Sequence, residues 1–465
     1  MILFLFASCG TNTEVENVQE VVNTGNTEVQ VSSEKADIFE ERESIIDLEI
    51  KDSDTVYIEL DSENTQSTDS GVQISGQEIT IKKSGNYEFS GVLNDGQIIV
   101  ETEDEKNVQI ILNNVEIRHS DSSAIIINNA SQAVITLADN SENILSDGDS
   151  YAETGEDLPN ATLFSTEDLV IGGNGSLEVL GNYNDGITSK DKLFIESGNI
   201  SVTAKDDGIR GKDYLGIEGG NINITSEGDA LISDNEEEGN IEIFAGNFTL
   251  SAGDDGVHAR EVTITNGTID IIKSYEGIEG QQISIDGGDI RILSSDDGFN
   301  AAGGNESAGD YVLNINGGNI YINASGDSID SNADVVMTGG IVEIHGTLGS
   351  GSSLDYDGDF LISGGELIAT GNGGRAKAPS TGSKQNSIFI NFDITQQAGA
   401  LISIRDSNDT EIMTLEAENS FEYLIVSHPD LQNGDTYSYF VDGQKIGDIE
   451  ITDSVSIVGQ IQSGR

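Results

Sequence analysis

The sequence has few residues of several types, and each shortage excludes a class of protein. It contains one cysteine, Cys9, in 465 residues, so no internal disulfide is possible. It has 21 lysine and arginine residues against 83 aspartate and glutamate residues, which gives a formal net charge of −62. Binding to nucleic acid or to an anionic membrane surface needs basic patches, so this charge argues strongly against both. The same charge predicts that an acidic polymer is repelled unless cations intervene.

Long apolar runs are also scarce. No segment approaches the 18 apolar residues of a membrane-spanning helix, so we expect none. The short run Ile2 to Phe6 leads into Leu5-Phe6-Ala7-Ser8-Cys9-Gly10, which looks like a bacterial lipobox although it lacks a basic leader. We therefore predict that residues 1–9 are a truncated lipoprotein signal, lipidated at Cys9, and that residues 10–50 are a disordered acidic linker. A lone N-terminal cysteine is the alternative.

What the chain has in abundance is glycine, with 55 residues, and one glycine phrase recurs. A glycine followed by a short β-rich run appears eight times, at intervals of 21 to 30 residues. The marker glycines are Gly198, Gly220, Gly246, Gly267, Gly288, Gly318, Gly340 and Gly365. A second phrase, typified by Asp207-Gly208-Ile209, follows most of them in constant phase. Two markers that keep register at about 22 residues indicate a solenoid with loop insertions.

Each repeat is built of strands. Apolar residues occupy every second position, with isoleucine and valine leading, and no proline interrupts the repeats. Three short strands and three turns per repeat predict an all-β chain that forms a right-handed parallel β-helix. A leucine-rich repeat would need a helical segment and an Asn-bearing Leu motif, and neither is present.

Changes in pattern predict the domain boundaries. Residues 51–160 read as an N-terminal cap with irregular first coils, and residues 161–382 as regular coils. The Asp-Gly markers stop near residue 382, and longer, more aromatic strands follow. We predict a β-sandwich-like cap over residues 383–465.

The acidic markers are the sharpest chemical feature of the repeats. Stacked coils would place successive carboxylates about 4.8 Å apart, where they repel by roughly 3–4 kcal/mol at an effective dielectric of about 20. Calcium, which takes six to eight oxygen ligands, would relieve this repulsion, and side chains splayed into solvent are the alternative. The predicted calcium ligands are Asp185, Asp206, Asp207, Asp229, Asp254, Asp255, Glu276, Asp296, Asp297 and Asp327.

Three runs in the first regular coils carry a resemblance to a known family. Gly181-Asn182-Tyr183-Asn184-Asp185-Gly186-Ile187, Ser189 to Leu193 and Ala204 to Asp213 resemble the bacterial carbohydrate-binding β-helix family, and the likeness extends over roughly residues 56–439. The resemblance implies a calcium-bearing, surface-attached, non-catalytic binder of cellulose or acidic polysaccharides such as polygalacturonate. Later coils lose the lysine that follows the acidic marker.

Basic and aromatic residues accompany the acidic markers. Either they hold a glycan, through cations on uronate carboxylates and rings on sugar faces, or they serve the fold, through local pairing and loop packing. The candidates for carbohydrate contact are Lys190, Arg210, Lys212, His258, Arg260, Tyr183 and Tyr214, with Tyr275 and Phe299 near the same edge.

The lipobox-like sequence and the resemblance together imply an extracellular protein, lipid-anchored to the outer face of a membrane and bound to plant-type or acidic polysaccharide. Polysaccharide lyases use the same fold with calcium and a basic residue, so a pectate-type lyase with Arg210 or Lys212 as base is the enzyme alternative. An adhesin-like spacer without a ligand is the structural alternative.

Overall fold

The structure is a computed structural model that describes residues 54–102, 104, 106–155, 158–302 and 311–460. Cys9, the lipobox-like sequence and the predicted linker lie outside these residues. The described chain is all β, with 43 strands. Within it, no helix has the length and hydropathy needed to cross a bilayer.

The N-terminal region contains longer, less regular strands than the rest. β6 is bent at Asn114, which adopts a φ of 59°, so that one strand pairs with β8 through its first half and with β9 through its second. β2 and β3 form an antiparallel hairpin beside the first parallel coil. The strands are β1 (Thr55–Asp61), β2 (Val72–Ser75), β3 (Glu78–Ile81), β4 (Gly85–Leu93), β5 (Gln97–Glu101), β6 (Val108–Arg118), β7 (Ile125–Asn129), β8 (Ala133–Leu137) and β9 (Glu142–Ser146).

Regular coils follow, and each contributes one strand to each of three parallel sheets, so the predicted parallel β-helix is confirmed. Sheet 1 continues from β2, β3, β5 and β7 through β10 (Ala161–Ser165), β13 (Asp185–Ser189), β16 (Ile209–Gly211), β19 (Leu231–Ser233), β22 (Val257–Ala259), β25 (Ile278–Glu279), β28 (Phe299–Ala301), β31 (Ile329–Ser331) and β34 (Asp355–Tyr356).

Sheets 2 and 3 complete each coil. Sheet 2 comprises β8 and then β11 (Leu169–Gly173), β14 (Lys192–Ile195), β17 (Tyr214–Ile217), β20 (Asn240–Ile243), β23 (Glu261–Ile264), β26 (Gln282–Ile285), β29 (Val312–Ile315), β32 (Asp334–Met337) and β35 (Phe360–Ile362). Sheet 3 comprises β9 and then β12 (Ser176–Gly181), β15 (Asn199–Ala204), β18 (Asn221–Ser226), β21 (Asn247–Ser251), β24 (Thr268–Ser274), β27 (Asp289–Ser294), β30 (Asn319–Ala324), β33 (Ile341–His345) and β36 (Glu366–Gly371).

The eight marker glycines occupy the turn from sheet 2 into sheet 3, and each immediately precedes a sheet 3 strand. All eight have positive φ, between 81° and 123°. At Gly220, for example, an added Cβ would lie 2.9 Å from the carbonyl oxygen of Gly198 in the preceding coil. Glycine recurs at this turn because the backbone needs a left-handed conformation where two coils approach closely.

A C-terminal cap closes the solenoid. β40 pairs antiparallel with the last coil strand, β36, and also with β37, while a second, four-stranded sheet has the order β39-β38-β41-β42. The two sheets enclose a separate apolar core that includes Ile388, Phe421 and Tyr437, as the predicted sandwich requires. The cap strands are β37 (Ser387–Gln396), β38 (Leu401–Arg405), β39 (Glu411–Glu416), β40 (Phe421–Ser427), β41 (Thr436–Val441), β42 (Gln444–Glu450) and β43 (Val455–Val458).

One continuous core fills the solenoid from Ile58 to Ile425. In β18 the side chains of Ile222 and Ile224 point inward and pack on the coils above and below, whereas Asn223 and Thr225 point to solvent. This alternation is what the period-two pattern predicts for a sheet with one buried face.

Truncating an inward side chain therefore tests the assignment of faces. We expect Ile224→Ala to destabilise the protein by about 2–5 kcal/mol, because it removes buried methyl groups and leaves a cavity. The neighbouring outward substitution Asn223→Ala should change the stability by less than about 0.5 kcal/mol. Guanidinium unfolding followed by circular dichroism measures both, and equal shifts of the two midpoints would contradict the assigned register.

Candidate functional site

The acidic markers form a column along the turn from sheet 3 of one coil into sheet 1 of the next. Each lies at or just before the start of a sheet 1 strand, and the first four members are almost fully buried. We call this set the acid column: Asp185, Asp207, Asp229, Asp255, Glu276, Asp297 and Asp327.

Backbone amides stabilise the acid column from coil to coil. The Asp229 N–H donates to Asp207 Oδ1 at 2.8 Å, and the Asp255 N–H donates to Asp229 Oδ1 at 2.8 Å. Four further members take part in the same way: Asp185, Glu276, Asp297 and Asp327. A carboxylate that accepts an amide N–H is favoured in its charged form. The sequence patterns predicted only cations or solvent around these carboxylates, because a backbone N–H leaves no mark in a sequence.

A second column runs beside the first on the outer face of sheet 1, three residues further along each coil. Its members are neighbours in the strand register. Several of them contact acid-column carboxylates, as Thr188 does by donating from its hydroxyl to Asp185 Oδ2 at 2.9 Å. We call it the facing column: Thr188, Arg210, Ile232, His258, Glu279, Asn300 and Asp330.

Arg210 neutralises the first part of the acid column. Its Nε donates to Asp185 Oδ2 at 3.1 Å, and its terminal nitrogens contact Asp207 and Asp234. Burial alone would lower the pKa of Arg210, but the three carboxylates outweigh burial and raise it. Only 14% of the side chain is exposed, so Arg210 is an internal counter-ion for the column, as the local-pairing alternative describes.

His258 has the same position two coils later. Its Nδ1 lies 3.2 Å from Asp229 Oδ2 and 3.6 Å from Asp255 Oδ2. Burial works against protonation, but the hydrogen bond to Asp229 and the nearby charges of Asp229 and Glu279 raise the pKa of His258. Like Arg210, it pairs with the carboxylates of its own coil and of the coil before it.

Beyond His258 the facing column supplies no cation in the described coils. Ligand oxygens of Asp255, Glu276 and Glu279 lie within 4.8 Å of one another. His258 reaches the Asp255 side of this group, with its Nδ1 3.6 Å from Asp255 Oδ2. The Asn300 amide donates to Glu276 Oε2 at 2.7 Å. Its Oδ1 is buried without a hydrogen-bond partner, and Asn300 as a whole is 9% exposed. We call Asp255, Glu276, Glu279 and Asn300 the carboxylate cluster.

Two other groups have ligand spacing, and they include predicted metal ligands. Asp185, Asp206 and Asp207 form one, and Asp229, Asp255 and His258 form the other. In both, however, Arg210 or His258 already sits among the carboxylates. Of the remaining candidates, Asp254 and Asp296 lie in the same turns, one residue before the acid column.

The predicted basic residues separate into two sets. Arg210 and His258 lie beside the acid column, but Lys190, Lys212 and Arg260 follow the ends of β13, β16 and β22. These three therefore line the opposite edge of sheet 1, at the turn into sheet 2. Burial lowers the pKa of Lys190, and the charge of Arg210 adds to this.

The predicted aromatic contacts are only partly available. Tyr214 is 5% exposed, because its ring packs against Phe194, with centroids 5.3 Å apart, in the space left by Gly216. Phe299 is fully buried in the core. The expectation that these two present open ring faces is therefore wrong. Tyr183 is half-buried and stacks on Tyr151 at 4.3 Å.

Residues 75–309 and 261–388 match the sequence model of a family described as "carbohydrate-binding domain-containing protein", and the matches together cover more than half of the chain. The chain belongs to this carbohydrate-binding family. The acid column from Asp185 to Asp327 and the carboxylate cluster lie within the matched residues.

Two relatives of this carbohydrate-binding chain cover about half of it. A carbohydrate-binding domain-containing protein of Acetivibrio thermocellus is 41% identical over 222 residues, which are 46% of this chain and 77% of the relative. A solved structure described as a polysaccharide lyase-like protein from C. thermocellum, a gadolinium derivative, is 33% identical. It covers 50% of this chain and 92% of its own, with a TM-score of 0.45.

Three carboxyls of this carbohydrate-binding chain, two in the acid column and one in the facing column, have raised pKa values. Burial, opposed by Arg210, raises the pKa of Asp207 to about 7. Burial also raises the pKa of Asp297 to about 7, against the Asp327 N–H, and the Asp327 and Asp296 charges add to it. Burial followed by the Asp327 charge raises the pKa of Asp330 to about 6.

These shifts predict how stability depends on pH when divalent cations are removed. An unfolded aspartate has a pKa of about 3.9, so between about pH 4 and pH 7 the folded state binds more protons. In EDTA, the carbohydrate-binding chain should therefore lose stability as the pH rises through this range. Thermal unfolding at several pH values measures the trend.

A matched pair of variants assigns that trend to the column. Asp297→Asn should weaken the pH dependence, because it removes one buried titrating group. Glu178→Gln, on the exposed face of β12, should leave it unchanged. A melting temperature that rises with pH over this range would contradict the assignment.

Proposed function

We propose that this chain is a non-catalytic, calcium-dependent binder of acidic or plant cell-wall polysaccharide, of the polygalacturonate or cellulose type. Membership of the carbohydrate-binding family supports a polysaccharide partner. The formal charge of −62 would repel a uronate polymer, so binding such a polymer requires positive charge at the surface. Bound calcium supplies that charge.

The carboxylate cluster is the observation that carries the calcium proposal. Its donors are all oxygen atoms, which calcium prefers. The unpartnered Oδ1 of Asn300 is a further neutral oxygen beside Glu279 in the strand register. Burial raises the pKa of Glu276, against the Asn300 hydrogen bond and together with the charges of Glu279 and Asp297. A cation there would compensate these charges, as Arg210 does in earlier coils.

The calcium proposal is tested by removing charge from the cluster. The double variant Glu276→Gln/Glu279→Gln should lose calcium-dependent retention on a polygalacturonate gel, whereas Glu178→Gln should be retained like the wild type. Retention is measured by affinity electrophoresis with calcium and with EDTA. Equal retention of the wild-type protein under both conditions would refute the calcium dependence.

A pectate-type lyase remains the alternative activity. The structure argues against Arg210 as its catalytic base. Arg210 is buried among three carboxylates that raise its pKa, so it holds its proton firmly. Lys212 lies at the opposite edge of sheet 1 from the acid column. Retention on polygalacturonate without release of unsaturated, ultraviolet-absorbing product supports the non-catalytic proposal, and steady release of that product would establish the lyase.

We also propose that the protein is extracellular and held at the outer face of a membrane through lipid on Cys9. Only the lipobox-like sequence Leu5 to Gly10 supports this, and it lies outside the described residues. In a bacterial host that processes lipoproteins, Cys9→Ser should move the protein from the membrane fraction to the soluble fraction. An unchanged distribution would count against the anchor.

A further inference from the structure

One sheet 3 strand differs from its neighbours by an inserted residue. β24 pairs regularly with β21 as far as Ile271, but Ser251 then lies opposite Lys273 instead of Ile272. The same irregularity appears on the other side, where the pairing with β27 breaks between Ile271 and Ser274. β24 therefore contains a β-bulge at residues 272 and 273. Bulges bend a strand and re-aim its side chains.

The bulge places apolar and basic side chains at the surface. Ile272 is 43% exposed and Tyr275 is 47% exposed. Lys273, between them, is exposed and makes no ion pair within the described part of the chain. An exposed aromatic residue within three positions of an exposed aliphatic residue and of an exposed lysine is unusual on a surface that is otherwise strongly acidic.

Tyr275 lies at a turn position that is glycine, aspartate or asparagine in the equivalent described coils. Its N–H donates to the Asp254 carbonyl at 2.7 Å, and its carbonyl accepts the Asp296 N–H at 2.8 Å. The same chain of hydrogen bonds identifies the equivalent residues of the described coils as Asn184, Asp206, Gly228, Asp254, Asp296 and Gly326. Tyr275 is thus the one aromatic residue in this series.

The position of Tyr275 connects the bulge with the carboxylate cluster. Glu276, a member of the cluster, is the next residue in the chain, and the nearby Asp296 side chain raises the pKa of the Tyr275 hydroxyl to about 12. Two hydrogen bonds hold the Tyr275 backbone between the coils before and after it, while 47% of the residue stays exposed. A ring oriented in this way can stack on the apolar face of a sugar, and nearby carboxylates can accept hydrogen bonds from sugar hydroxyls.

We propose that Tyr275, Ile272 and Lys273 form a sugar-binding subsite for a uronic-acid polysaccharide. The Tyr275 ring stacks on one sugar ring, Ile272 extends the apolar platform, and Lys273 pairs with a uronate carboxylate. The inference rests on the proposed function, since it places the glycan on the coil that carries Glu276. Because the bulge adds one residue at an outward-facing position, β24 presents two side chains, those of Ile272 and Lys273, where a regular sheet 3 strand presents one.

The test compares the full chain with three variants on polygalacturonate gels containing calcium. Tyr275→Ala should weaken retention by about tenfold, in line with one lost aromatic contact. Tyr275→Phe keeps the ring and loses only the hydroxyl, so it should restore most of the binding. Tyr57→Ala removes an even more exposed tyrosine on β1 and serves as the matched control. Tyr275 is exposed, so Tyr275→Ala should fold with an unchanged melting temperature.

A fourth variant, Lys273→Gln, separates charge recognition from stacking. It should weaken retention on polygalacturonate and leave binding to uncharged, insoluble cellulose unchanged, where the wild-type protein binds cellulose. If the wild-type protein is retained and Tyr275→Ala is retained equally well, the subsite is refuted and the proposed function stands. If the wild-type protein binds neither polymer, the proposed function fails and the subsite fails with it.

Discussion

The structure depends on hydrogen bonds that run from one coil to the next. From β10 to β35, each sheet strand bonds to strands one coil away, so a residue gains a stacking partner only if the following coil keeps its register. The acid column shows the constraint in its strictest form, because the carboxylate of Asp207 accepts the amide N–H of Asp229 in the next coil. A change of one residue in register would move that amide and leave a buried carboxylate without its donor.

This constraint explains why so much of the fold could be predicted from the sequence. A glycine with positive φ at a fixed turn, such as Gly220, must recur once per coil, and it does so visibly. Inward isoleucines such as Ile224 must alternate with outward polar residues, which identifies the strands. The end of the markers likewise indicates where β36 gives way to the antiparallel cap. Because each signal recurs in every coil, the sequence supplies several independent instances of it.

The chemistry of the site could be predicted only in part, because single side chains break the repetition. The position of the acid column follows from the markers. The ion pair of Arg210 with Asp185, however, joins two adjacent coils and depends on the rotamer of the long arginine side chain. Burial of Tyr214 depends on the space over Gly216 in the same strand. The amide donors of the acid column left no signal in the sequence, because every residue type except proline carries a backbone N–H.

The C-terminal cap has a consequence for assembly. A parallel β-helix ends in a coil whose free edge can accept another parallel coil, and a second molecule could in principle supply one. Here β40 occupies that edge at β36 and runs in the opposite direction, while the buried Tyr423 hydroxyl accepts the N–H of Ser353. A growing fibre would have to displace a strand whose side chains fill the end of the core. The cap therefore blocks the end-to-end stacking of coils from two molecules at the C-terminal end of the solenoid.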